Sequence, residues 1–300
     1  MRIASNQYHA TMNTSLQTAN TGLTRVMQQM ASGQRVMVPS DDTIAAVRLA
    51  RLTREESALT QYRANVGALK TRLSTNEVTL DSMQQDLMAV RDLLVWAADG
   101  SNTPADMKAM AGSLESLRDS LFFSINSRNA EGKYLFSGTA SDVATLTDTG
   151  GAPGSRYTQD PTVNAATQDV AVGDGVAVAA NVTLKPFGVD AFLNLLDGTA
   201  NQFKTASYTS TTASTLLLAV DKTLADVTGQ ISVVGGRQNV ITTLDDNHGA
   251  VGLANKQAMI DLGQLDYAEA AVRLNSYTLA VQATQKAYAK VSSLSLFNAL

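Results

Sequence analysis

LTQYRANVGALKTRLSTNEVTLDSMQQDLMAVRDLLVWA, residues 59–97, places a seam of side chains in strict alternating steps of three and four. The stripe runs Leu59, Tyr62, Val66, Leu69, Leu73, Asn76, Leu80, Met83, Leu87, Val90, Leu94 and Ala97, and Asn76 is its one polar member. A seven-residue period held over this many turns keeps a narrow seam facing a partner only if the helix supercoils. A lone polar seam residue either sets register or is merely tolerated, and register is the preferred reading for Asn76. Helical from about Thr43 to Asp99, the segment would be on the order of 85 Å long at ~1.5 Å per residue.

The seam needs partners, and the flanking sequence offers them. Thr103-Pro104-Ala105-Asp106 provides an N-cap, a proline at the first helical position and an acid that completes a capping box. Met107, Met110, Leu114, Leu117 and Leu121 then keep the period, and this helix is expected to end before Ser137-Gly138. Asp99-Gly100-Ser101-Asn102 reads as the loop between the two helices. A third stripe follows at Leu217, Val220, Leu224, Val227, Ile231, Val234, Gln238 and Ile241. Three such stripes predict a helical bundle.

The chain ends carry narrower stripes: Tyr8, Met12, Leu16, Ala19, Leu23, Met27 and Met30 at one, and Leu265, Ala268, Val272, Leu279, Ala283, Ala287, Val291 and Leu294 at the other. Both are flanked by Thr, Asn, Gln and Ser, so each helix is marginal alone and should order only against neighbours. Neither end carries an acid. Residues 1–40 hold Arg2, Arg25 and Arg35 as their only charged residues, and Arg273, Lys286 and Lys290 are the only ones beyond Glu269. A cleaved transit peptide would explain the first of these features but not the second, so the ends read as one shared element.

Residues 138–211 differ in kind, with 8 of the 20 glycines, three of the five prolines and short Val/Ala runs around Gly-Asp-Gly. The expected architecture is mainly α: a long coiled-coil helical bundle rod formed by N- and C-terminal segments, with a small β-rich domain inserted in the middle. The expected parts are an inner-core helix at 1–40, the rod bundle at 41–137, a β-rich outer domain at 138–211, the returning bundle at 212–258 and a second inner-core helix at 259–300.

Composition excludes several functions. The 300 residues include no cysteine and two histidines, and their net charge is −4. That removes thiolate nucleophiles, disulfides and cysteine zinc sites, and argues against nucleic-acid binding. No run approaches the ~20 apolar residues of a membrane span, and the N-terminus has no secretory core. These criteria alone suggest a soluble cytoplasmic protein.

Asp41-Asp42 has the form of a paired-carboxylate or cation site, but at a helix start capping is the simpler reading. Asp245-Asp246-Asn247-His248-Gly249 lacks the calcium-loop spacing and reads as a polar turn. His9 reads as a helix-surface residue. Gly150-Gly151-Ala152-Pro153-Gly154-Ser155-Arg156 lacks the Gly-Lys-Ser/Thr of a phosphate loop. Trp96 is either a subunit anchor or a half-exposed bundle residue. No cofactor, metal or catalytic set is expected.

The residues also carry a resemblance. Met30-Ala31-Ser32-Gly33-Gln34-Arg35-Val36-Met37-Val38-Pro39-Ser40-Asp41-Asp42-Thr43 resembles the bacterial flagellin-family signature SG-x-R-I-x-x-x-x-D-D. Residues 91–102, RDLLVWAADGSN, resemble the family's RELAVQSANGTN hairpin, and Gly235-Gly236-Arg237-Gln238-Asn239 its G-x-x-Q-N step. The likeness covers about 1–137 and 212–300. Within the family, Asn129–Gly138 (NAEGKYLFSG) and the ending KVSSLSLFNAL are similar to hook–filament junction members, except that Ala299 stands where an aromatic is usual.

The resemblance implies a structural, non-enzymatic subunit. It would be exported by the flagellar type III apparatus, held beforehand in a chaperone-bound cytoplasmic pool, and placed outside the cell between hook-associated protein 1 and flagellin. Its implied partners are itself in a ring, hook-associated protein 1, flagellin, and an export chaperone on the C-terminal segment, with no nucleic acid and no membrane insertion. The stripes and motifs together nominate assembly residues: Tyr8, Met12, Leu16, Leu23 and Met27; Arg35, Asp41 and Asp42; Arg91 and Trp96; Gln238 and Asn239; and Leu279, Val291, Leu294, Leu296 and Phe297. A filament subunit is the alternative. A membrane-active helical translocator is a more distant one, disfavoured by terminal faces poor in bases.

Overall fold

The computed structural model describes the backbone of residues 2–99 and 102–297, and the side chains of 7–99, 102–209 and 212–290. Six helices carry the chain: α1 (Arg2–Ser32), α2 (Thr43–Ala97), α3 (Pro104–Ile125), α4 (Val189–Thr205), α5 (Ser210–Gly263) and α6 (Tyr267–Phe297). Between α3 and α4 lie two antiparallel two-stranded sheets, β1 (Thr147–Asp148) with β2 (Tyr157–Thr158), and β3 (Asp169–Gly173) with β4 (Val176–Ala179). The chain forms two compact units, one of residues 59–249 and one of residues 1–58 with 250–300.

In the 59–249 unit the α2 seam is the axis of the core. Every stripe position except Tyr62 is buried, and Leu73, Leu80, Leu87, Val90 and Leu94 are fully enclosed. Met107, Met110, Leu114, Leu121 and Ile125 of α3 and Val220, Val227, Val234 and Ile241 of α5 complete this core. α3 begins as its sequence predicts: the Thr103 hydroxyl accepts from the Asp106 N–H, and the Asp106 carboxylate accepts from the Thr103 N–H at 2.9 Å. It ends at Ile125, well before Ser137. The intervening turn is held by the Asn129 carboxamide, which accepts from the Glu131 and Lys133 N–H groups. Gly100 and Ser101 of the expected loop lie outside the described residues.

Two sequence expectations fail here. Asp245–Gly249 is not a turn but lies inside α5. The three–four alternation continues past Ile241 through Asp245 and His248, and both find partners: Asp245 pairs with Arg63 at 2.9 Å, and His248 stacks on Tyr62 and bonds the Val172 carbonyl at 2.7 Å. Satisfied polar seam residues leave the helix no reason to break. The second failure is α4, within the stretch read as β-rich. Its Phe192, Leu193, Leu196, Ala200 and Phe203 are buried, and the helix packs on α3. Gly198 masks the pattern. The Gly150–Arg156 turn docks on α4 at this point, with the Gly154 Cα 3.5 Å from where a Cβ on residue 198 would sit, an ordinary van der Waals contact.

A buried ion pair fixes α4 to α3. Arg118 donates to Asp197, with side chains 7% and 6% exposed, and the second Asp197 oxygen accepts from the Gly154 N–H at 3.1 Å. The β1–β2 sheet is pinned in turn by Asn194, whose carboxamide bonds both the N–H and the carbonyl of Tyr157. Asp197→Ala removes the buried partner of Arg118, leaving it only the exposed Asp119 carboxylate at 2.8 Å, and leaves the Gly154 N–H unpaired, so it should lower stability by about 2 kcal/mol in chemical denaturation. Replacing the pair together by Met and Leu should recover most of that loss.

Candidate assembly site

The unit of residues 1–58 and 250–300 is built differently. α1 and α6 pair along a seam of His9, Met12, Leu16, Ala19, Leu23, Val26 and Met30 against Ala270, Leu274, Tyr277, Val281 and Thr284. The Tyr277 ring lies over Gly22, where an added Cβ would come within 2.6 Å of it, and the His9 ring meets Tyr288 edge-on at 5.5 Å. Met12, Leu16 and Leu23 are therefore half-buried within the chain, and His9 is a seam residue rather than a surface one.

Other nominated positions face away. Tyr8 is 41% exposed, Met27 57% and Leu279 58%, and Val272 of the same C-terminal stripe reaches 67%. The stripe read from the C-terminal sequence is thus the uncovered face of α6. Its Ala/Val/Leu content is spread around the helix, so periodicity alone does not choose the packed side. Val26 and Tyr277, which the sequence reading missed, hold the packed faces. The side chains of Val291, Leu294, Leu296 and Phe297 lie outside the described residues.

The SG-x-R…D-D stretch forms a brace between helix ends. Gly33 turns the chain with φ +70°, then the Arg35 N–H donates to the Gly263 carbonyl at 2.8 Å and the Leu265 N–H to the Gly33 carbonyl at 3.0 Å. The α1–α2 and α5–α6 connections are in this way stitched together by a β-bridge at Gln34 and Gln264. The Arg35 guanidinium spans the joint, donating to the Leu262 carbonyl at the end of α5 and to the Asp42 carboxylate at 3.0 Å. Asp42 in turn caps α2 by accepting from the Ala45 N–H at 3.0 Å. That backbone bond, then Arg35, holds the Asp42 carboxyl below the usual carboxylate range. Asp41 pairs with Arg25 and accepts from the Met37 and Val38 N–H groups. Neither carboxylate is set up for acid–base chemistry. The sequence signal for the brace was a pair of glycines, Gly33 and Gly263, flanking both helix breaks.

The remaining nominated residues lie in the other unit. Arg91 pairs with Asp221 at 2.7 Å and Gln238 donates to Glu77 at 2.7 Å, so both tie α5 to α2 within the chain. Asn239 and Trp96 are exposed, with Val95 and Met88 exposed on the same helix as Trp96.

A balance of apolar surface separates the units. Among the described residues, the 59–249 unit buries 37 apolar residues and leaves nine large ones exposed. The 1–58/250–300 unit buries five, three of them alanine, and leaves twelve large ones exposed, including Ile44, Val47, Leu253 and Ile260. Exposed apolar residues thus outnumber buried ones in the unit that holds both chain ends. No described helix is long and apolar enough to cross a membrane.

Comparison with known proteins agrees with this architecture. The family described as the bacterial flagellin N-terminal helical region matches residues 3–141. Flagellar hook-associated protein 3 of Escherichia coli (strain K12) is 26% identical over 294 residues, covering 90% of each chain. The solved structure of a flagellar hook-associated protein from Vibrio parahaemolyticus is 34% identical, with a TM-score of 0.68 over 75% of this chain and 100% of that one. The hook-associated protein-3 structure from Legionella pneumophila shares the fold at 13% identity, with a TM-score of 0.62 over 71% of this chain and 98% of that one. The chain therefore belongs to the flagellin-related family of flagellar hook-associated junction proteins, structural components of the flagellum rather than enzymes.

Proposed function

We propose that this chain is the adaptor that joins the hook, through hook-associated protein 1, to the flagellin filament. It is exported by the flagellar type III apparatus and assembles outside the cell through its terminal helices. The observation that carries this reading is the apolar imbalance: the unit holding both chain ends leaves large apolar residues uncovered on α1, α2, α5 and α6, and neighbouring subunits supply the missing burial. Residues 1–40 and 259–300 form the inner core of the assembled tube, 41–137 with 212–258 the surrounding bundle, and 138–211 the outward domain. Copies of the chain form a ring, with hook-associated protein 1 on one side and flagellin on the other. An export chaperone holds the C-terminal segment in the cytoplasm beforehand.

Deleting the gene should leave bare hooks and flagellin shed into the medium. Hooks carrying their other adaptors, with no filament protein anywhere, would instead make this chain a flagellin. Removing residues 291–300 should block junction formation while the melting of the 59–249 unit stays unchanged.

The brace makes a separate prediction. Asp42 titrates below its unfolded value of about 3.9, so its contribution is complete above that value and is lost as pH falls through the lower folded one. Arg35→Ala at neutral pH should open the 33–42 connection to limited proteolysis, and acidification of the unaltered protein should reproduce that pattern only below about pH 4.

A further inference from the structure

The β3–β4 hairpin and its flanks meet α2 and α5 through a set of hydrogen bonds to main-chain carbonyls, beside one side-chain bond from Arg72 to the Gln168 carboxamide at 2.7 Å. Asn65 Nδ2 donates to the Ala171 carbonyl at 2.8 Å, and His248 Nε2 bonds the Val172 carbonyl at 2.7 Å. Arg237 Nη1 donates to two carbonyls, Asn181 at 2.8 Å and Ala179 at 3.3 Å, and Asn76 Nδ2 approaches the Ala180 carbonyl at 3.5 Å. Every acceptor in this set is main chain. Of the hairpin's own side chains, Val172 is fully buried and Val170 and Val178 are half-buried against the core, whereas Ala171, Val176 and Ala177 are exposed.

We propose that α2 and α5 form a cradle that recognises this hairpin by its backbone, with Arg237 as the positioning residue that fixes its register. Carbonyls two residues apart in an extended chain point the same way, and the one between them points opposite. Arg237 bonds the first and third of Ala179-Ala180-Asn181, while Asn76 approaches the second from α2. A one-residue slip would turn these carbonyls away from their donors and bring Val172 out of the core. Burial pulls the Arg237 guanidinium below its usual value, against the nearby Asp169 charge, as for a cation partly withdrawn from water. Arginine suits the position because its planar group holds its donors in fixed directions, whereas lysine offers a mobile point charge. This role is internal to the chain and does not depend on the assembly reading.

Hydrogen exchange on the full chain tests the proposal. Arg237→Ala should speed exchange of the 169–180 amides by about 10- to 100-fold, with the α2 and α3 seam amides unchanged. Arg237→Lys should fail to restore protection. Threonine at positions 171, 176 and 177 together should leave it intact, because those side chains are not what the cradle reads. Unchanged hairpin exchange in Arg237→Ala, full protection in Arg237→Lys, or loss of protection in the threonine variant would each overturn it. If Arg237→Ala also loosens the helices, the decision passes to Asn65→Ala combined with His248→Phe, which keeps the ring on Tyr62. Hairpin-confined loss in that variant supports the cradle, and unaltered exchange overturns it.

Discussion

The heptad seam of α2 is the constraint on which residues 59–249 depend. Each fully buried Leu along it contributes about 1.5–3 kcal/mol, and those contributions are collected only while α3 and α5 stay in phase with the same alternation of three and four. Polar seam positions keep that phase by bonding rather than by packing. Asn76 approaches the Ala180 carbonyl, Gln238 bonds Glu77, and Asp245 bonds Arg63. Asn76 faces the inserted segment rather than another seam asparagine.

The terminal helices obey a different rule. Their packed faces contribute Ala19, Gly22, Val26 and Ala270, which let α1 and α6 approach closely but bury little area. Two helices of 31 residues held by so few apolar contacts are weakly stabilised by each other. What is firm there is the connection. Backbone bonds, the Arg35 fork and the Asp41–Arg25 pair close the two helix breaks without needing an apolar core.

How far the sequence could be read follows from this contrast. The α2, α3 and α5 stripes and the Thr103 capping box were legible because apolar residues on those faces stand against polar ones on the others. The packed face of α6 was not, since Val272 and Leu279 are as apolar as Leu274 and Val281, and only the neighbour decides which pair is covered. α4 was hidden by Gly198 in its interior. The Asp245–Gly249 stretch was misread because its composition is that of a turn, while its phase is that of the helix. Of the nominated assembly residues, Arg35, Asp41, Asp42, Arg91 and Gln238 prove to have polar partners within the chain, and the Arg91–Asp221 and Gln238–Glu77 contacts, 130 and 161 residues apart, leave no local pattern to read.

The uneven legibility has one physical source. A face that is covered within its own chain must differ from the rest of its helix, because burial selects it. A helix covered on several sides by different neighbours is apolar on several sides, so its periodicity weakens. The blurred stripe of α6 and its exposed Val272 and Leu279 are then the same observation made twice, once in sequence and once in structure. On this argument the sharpness of the α2 seam shows that its folding is completed within the chain. The lack of such sharpness in α6 is what a helix buried from outside the chain would show. The brace at Arg35 suits both conditions, since bonds between backbone and charge hold whether or not the apolar faces beyond them are covered.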